Sequence, residues 1–154
     1  MTTEVLTRTE PLRPATVELP YEPQSASAAR RLVRDALADW GLGHLAADAE
    51  LVVTELVSNA VKTGCLTTMR VDLAPVTNRA GQAVRISVRD GSCALPVLIG
   101  AAHDAESGRG LALVDRLTVA WGVDQEPHGK TTWADIAVNR AGSSASVPDA
   151  PPPA

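Results

Sequence analysis

TELVSNAVKT, residues 54–63, places a carboxylate, a carboxamide and an ammonium inside an otherwise apolar helical run. Successive helical residues turn by about 100°, so Val52, Val53, Leu56 and Ala60 share one stripe, while Glu55, Asn59 and Lys62 fall within a wedge of roughly 60° beside it. The polar groups therefore border the buried stripe rather than oppose it. Glu55 and Asn59 are one turn apart, about 6 Å. Spacing alone leaves two readings open: a solvated helix edge, or a built site.

The 154 residues, 45% of them hydrophobic, suffice for one domain with one core. A formal charge of −4, with no basic run longer than Arg30–Arg31, gives a broad nucleic-acid footprint no electrostatic support. The start, MTTEVLTRTEPLRP, lacks an apolar signal core, and no stretch reaches the roughly 20 apolar residues of a membrane span, so a cytoplasmic location without membrane contact is expected. Cys65 and Cys93 have neither C-x-x-C nor Cys/His ligand spacing, and both read as reduced thiols.

Residues 1–15 are polar and proline-punctuated, and the tail 139–154 is rich in Pro, Ser and Ala; both are expected to be disordered around a domain over 16–138. In SASAARRLVRDALADWGL the positions Ala29, Leu32, Val33, Ala36, Leu37 and Trp40 follow helical spacing, with Ser25 or Ser27 as cap and Gly41 as left-handed stop. A second helix is expected from about Leu45 or Asp48 to Thr63, closed by Gly64. The period then changes to two: Met69, Val71 and Leu73, then Val84, Ile86 and Val88, alternate with polar residues and predict strands around the turn NRAG. GRGLALVDRL reads as a short helix, TVAWGV and TTWADIAV as strands joined by DQEPHG, and TVELP as a weaker first strand. Helices grouped with antiparallel hairpins predict an α+β sandwich, with helices on one face of a single sheet.

The alternative to a solvated edge on the second helix is a magnesium–nucleotide site. A carboxamide oxygen is a hard ligand for Mg²⁺, a carboxylate one turn earlier can accept a proton from a hydroxyl or water, and a lysine can face phosphate. Downstream, Asp90 ends the strand VRISVRD and precedes Gly91 and Ser92; it reads either as a turn aspartate or as an acceptor for an adenine amino group. SGRGLALV puts Gly108 and Gly110 just before a helix, either as an ordinary entry loop or as backbone free to approach an anion. In HGKTTW a hairpin turn accounts for Gly129, and a phosphate contact would account for Thr131.

Taken in order, ELVSNAVK, VRDGS with Pro96 behind it, GRGLALV, WGV and GKTTW resemble the ATPase domain of the GHKL superfamily, and among its members the stand-alone bacterial anti-sigma-factor serine/threonine kinases. The resemblance covers about Val17 to Val138. It implies a two-layer α/β sandwich of the Bergerat type, with a mixed, mostly antiparallel sheet. It further implies that Asn59 ligates Mg²⁺ on the ATP phosphates, that Glu55 is the general base, and that Asp90 and Gly91 take the adenine. Gly108, Arg109, Gly110 and Leu111 would line the phosphates below a lid at about 99–107, with Lys62 and Thr131 also reaching them.

By the same resemblance the chain is expected to bind a sigma factor and to phosphorylate an anti-anti-sigma protein of the STAS type on serine; members of this kind often form a homodimer, and the sequence leaves open whether this chain does. Close relatives follow the asparagine helix with a basic residue, a histidine and an alanine, whereas this chain has Lys62, Thr63 and Gly64. Loss of that imidazole bears on phosphoryl transfer more than on ATP binding. The alternative function is a nucleotide-gated binding module without transfer activity. A detached sensor-kinase catalytic domain is disfavoured, because no helix carries a phosphoacceptor histidine; His44, His103 and His128 fall in loops or helix ends.

Overall fold

The computed structural model describes residues 13–63, 68–91 and 112–139. In chain order these form β1 (Ala15–Leu19), α1 (Ser25–Asp39), a 3-10 turn (Gly43–Leu45), α2 (Ala46–Thr63), β2 (Met69–Asn78), β3 (Gly81–Asp90), β4 (Ala120–Glu126) and β5 (Gly129–Ala137). Residues 112–117, between β3 and β4, are helical. One five-stranded sheet has the order β1-β2-β3-β5-β4, with antiparallel pairing throughout. This is the expected α+β sandwich. β1 starts one residue before the expected domain boundary, and the ends 1–12 and 140–154 lie outside the described residues.

A single core joins the layers. Ala29, Val33, Ala36 and Leu37 of α1 and Ala49, Val52, Val53, Leu56, Val57 and Ala60 of α2 pack with Met69, Val71, Leu73, Val84, Ile86, Val88, Ala134 and Ile136 of the sheet. The strand residues are every second one, as a sheet with one covered face requires. Removing a side chain such as Leu56 or Ile86 would cost roughly 2–5 kcal/mol.

The ends of α1 match the expectation on one side only. Gly41 takes φ 75°, and the Leu42 N–H donates to the Leu37 carbonyl at 2.8 Å while the Gly41 N–H donates to that of Ala38 at 3.1 Å. These two bonds are the Schellman closure that a left-handed glycine permits. At the start neither expected serine caps: the N-cap is Gln24, whose side chain makes no capping bond to the helix, and the Ser25 hydroxyl turns back to donate to the Pro20 carbonyl at 2.7 Å.

The hairpins are tight. Asn78 pairs with Gly81, leaving Arg79 and Ala80 as the loop, and Asn78 Oδ1 accepts the Ala80 N–H at 2.8 Å. The β4–β5 turn is shorter than DQEPHG, because Asp124, Gln125 and Glu126 pair with Thr131, Lys130 and Gly129.

α1 lies against β1 and β2, and α2 against β3 and β5. Arg30 of α1 donates to the Thr54 hydroxyl at 3.0 Å, and Arg34 grips Glu50 through two nitrogens at 3.1 and 3.2 Å. Thr54 and Glu50 therefore mark the flank of α2 that faces α1. Glu55, Asn59 and Lys62 lie on the opposite flank, roughly 100° or more around the helix. The helix layer covers the β1–β3 side most fully, and the polar wedge looks toward β5 and β4.

Candidate functional site

α2 ends at Thr63 and β2 begins at Met69, so the last turns of α2 sit at the end of the sheet where β2 starts. Arg70 near the start of β2 pairs with Arg89 near the end of β3, and Asp90 pairs with Lys130 at the start of β5. Asn59, Lys62, Asp90, Gly91 and Lys130 are therefore all carried to one end of the two-layer domain. Glu55 lies one turn further back.

Asp90 is 2% exposed and Lys130 8%, and their side chains form an ion pair of 2.6 Å between Lys130 Nζ and Asp90 Oδ2. The alternation that buries Val84, Ile86 and Val88 continues to Asp90, and that of Ala134 and Ile136 runs back through Thr132 to Lys130. All of these side chains point toward the helix layer. Asp90 is thus a buried inner-face carboxylate rather than a turn aspartate.

Two backbone features fix the exit from β3. Gly129 lies against the Asp90 carbonyl so closely that a Cβ there would overlap it. Tyr21, in the loop between β1 and α1, accepts the Gly91 N–H at 2.8 Å and donates to the Thr68 carbonyl at 3.3 Å. Its ring thereby ties the β3 exit to the entry of β2.

On α2, Glu55 and Asn59 are half-buried and Lys62 is exposed. Across from them, residues 112–117 sit over β4: Trp121 Nε1 donates to Asp115 at 3.0 Å, and Val114 is fully buried. Between these two walls the inner face of β5 offers Lys130 and buried Thr132, with Val123 of β4 41% exposed on the same face. Among the described residues no group of three or more His, Cys, Asp or Glu could hold a metal ion. The carboxamide oxygen of Asn59 suits a hard cation carried in by phosphates, which is how Mg²⁺ binds with few protein ligands.

Thr131 requires a correction. Its side chain lies on the outer face of the sheet, donating to Glu126 at 3.0 Å, beside Arg89, which donates to the same carboxylate at 2.9 Å. The strand period of two puts Thr132, not Thr131, on the face of Asp90. Further along that outer face Asp135 is fully buried under Arg85, which donates to both its oxygens at 2.7 and 3.0 Å and stacks on Trp133 at 4.2 Å. The hydrogen bond to Asp135 raises the Arg85 guanidinium above the usual arginine range. The stability from that pair is fully present below the ordinary arginine value and is lost only as pH climbs through the raised one. Near neutral pH it is constant.

Gly108, Arg109, Gly110, Leu111 and the segment 99–107 lie outside the described residues. Three participants were missed in the sequence: Lys130 as partner of Asp90, the hydroxyl of Tyr21, and Thr132. Extending the alternation of ADIA backward by two residues at a time would have found Thr132 and Lys130; nothing local marks Tyr21.

The model of the histidine kinase-like ATPase domain matches residues 19–136, and the chain belongs to that family, within the GHKL superfamily. No curated protein matches it. Such a domain binds ATP. Among the described residues no helix is long and apolar enough to cross a membrane.

Proposed function

We propose that the chain binds Mg-ATP between the flank of α2 and the inner face of β3 and β5, and uses it as an anti-sigma-factor-like serine kinase. Its partners would be a sigma factor and an anti-anti-sigma protein, exchanged according to phosphorylation. The observation that carries the site is the placement of a buried carboxylate, Asp90, at the same end of the domain as the polar flank of α2. In this reading Asp90 accepts a hydrogen bond from the adenine amino group, with Gly91 allowing the base to approach. Asn59 presents its oxygen to Mg²⁺ from a rigid helix, and Lys62 lies near enough to the helix end to favour the phosphates. Mg²⁺ would neutralise phosphate charge. Gly108 to Leu111 would contribute backbone N–H groups to the same phosphates.

Glu55 is the base. It takes the proton from a serine hydroxyl once a bound partner brings that hydroxyl within about 3 Å. Phosphoryl transfer needs little more than this positioning and charge neutralisation. Thr63, where close relatives carry histidine, favours a second reading: ATP only orders a partner surface and no phosphate moves. The deciding experiment is a pulldown from native extract with and without Mg-ATP, with phosphate mapping on whatever binds. ATP-dependent capture with a labelled serine supports the kinase; ATP-dependent capture without label supports the module.

A further inference from the structure

In the β2–β3 hairpin the Asn78–Gly81 pair closes the turn, and hydrogen-bonded positions recur at every second pair from there down to Arg70–Arg89, where pairing ends. One step further, the same register sets Thr68 opposite Gly91, and a ladder bond would run from the Gly91 N–H to the Thr68 carbonyl. The Tyr21 hydroxyl takes that place. It accepts the Gly91 N–H at 2.8 Å and donates to the Thr68 carbonyl at 3.3 Å, as a phenolic oxygen can do at once. Two hydrogen bonds in series span more than the single bond of a ladder, so the hydroxyl works as a wedge between the strand ends.

The loop that carries Tyr21 is braced from behind. The Pro20 carbonyl accepts the Glu22 N–H at 2.9 Å, closing a three-residue turn with Tyr21 at its centre, and also accepts the Ser25 hydroxyl at 2.7 Å. Ser25, the first residue of α1, is 4% exposed. The hydroxyl that fails to cap the helix thus anchors the turn that presents Tyr21. The Tyr21 ring packs on the edge of the core. Ring and hydroxyl therefore divide their work: the first adds stability, and the second sets the backbone that leaves β3.

We propose that Tyr21 is a positioning residue for the nucleotide, its hydroxyl holding the end of β3 apart from β2 so that the Gly91 backbone stays where the base approaches. The proposal rests on the nucleotide placement above. It gives Tyr21 no contact with the nucleotide itself. Without the hydroxyl, the Gly91 N–H and the Thr68 carbonyl are register partners that can pair directly, drawing Gly91 toward β2 and away from the base.

The test separates ring from hydroxyl. Tyr21→Phe keeps the ring and Tyr21→Leu removes both; each is compared with the wild-type chain by thermal melting and by calorimetric titration with Mg-ATP. The melting temperature should fall less in Tyr21→Phe than in Tyr21→Leu, because the packing of the ring is kept. Affinity should instead follow the hydroxyl. Tyr21→Phe should bind Mg-ATP about threefold to tenfold more weakly than wild type, the range of one net hydrogen bond, and account for most of the loss in Tyr21→Leu.

Wild-type affinity in Tyr21→Phe overturns the inference, as does a loss confined to Tyr21→Leu, which packing alone explains. Asn59→Ala, titrated beside them, tells the two readings apart. If it weakens Mg-ATP while Tyr21→Phe does not, the site reading stands and the role of Tyr21 falls. If it binds Mg-ATP as wild type does, or if the wild-type chain binds none, the site reading falls and takes the inference with it.

Discussion

Gly129 packs its Cα against the carbonyl of Asp90, leaving no room for a side chain between the start of β5 and the end of β3. A Cβ there would overlap the Asp90 oxygen and sit 3.0 Å from Gly91 Cα. Backbone on both sides must then move, and the strain should cost about 1–3 kcal/mol. Gly129→Ala is expected to lower the melting temperature and, by displacing Asp90 and Gly91, to weaken ATP binding in the protein that remains folded. Gly43, which has open space around it, is the control. Gly43→Ala should leave both readouts near wild type.

Asn59 is half-buried on the flank of α2 away from α1. Alanine is the better helix former, so Asn59→Ala should change stability little. Its effect on Mg-ATP should be large, on the order of tenfold to a hundredfold in affinity, as for the loss of a residue supporting a metal site. Isothermal titration with and without Mg²⁺ separates the two effects. Equal Mg-ATP affinity in the variant and wild type would remove Asn59 from the site.

The fold was legible because its two periods are clean. Val52, Val53, Leu56 and Ala60 recur at helical spacing, and Val84, Ile86 and Val88 at strand spacing, so each element announces its covered face. Gly41 was legible for a local reason, its left-handed φ. The serine cap failed because a tertiary acceptor, the Pro20 carbonyl, competes for the Ser25 hydroxyl. The site was only partly legible. Asp90 and the polar wedge stand out as polar groups beside apolar runs, but the ion pair with Lys130 joins residues forty positions apart and depends on which strands are neighbours. Thr131 was misplaced by adjacency: it follows Lys130 in sequence, yet a strand sends neighbours to opposite faces.

The position of Thr131 gives a sharp comparison. Its hydroxyl bonds Glu126 on the outer face, and Thr132 is 2% exposed on the inner one. Thr131→Val removes one partly exposed hydrogen bond and should cost about 1 kcal/mol or less, with ATP affinity unchanged. Thr132→Val alters the floor of the site and should lower ATP affinity several-fold. Nucleotide titrations of the two valine variants check this, and a loss confined to Thr131→Val would contradict the face assignment.

Glu55 separates the two functional readings. It is half-buried on α2, one turn before Asn59, and on the flank that faces β5 rather than α1. Glutamine in its place keeps the shape and the ability to hydrogen-bond but cannot accept a proton. Glu55→Gln should therefore bind Mg-ATP within about twofold of wild type, since neither the adenine contact at Asp90 nor the oxygen of Asn59 is touched. General-base catalysis is worth roughly 10²–10⁴-fold, and labelling of the captured partner serine should fall by that factor. Thr63→His, which restores the imidazole that close relatives carry, should leave labelling equal or raise it. If Glu55→Gln labels the partner at the wild-type rate, Glu55 is not the base and transfer must rest on positioning alone. If wild type captures a partner only with ATP and never labels it, while Glu55→Gln captures it equally well, the chain is a nucleotide-gated binding module.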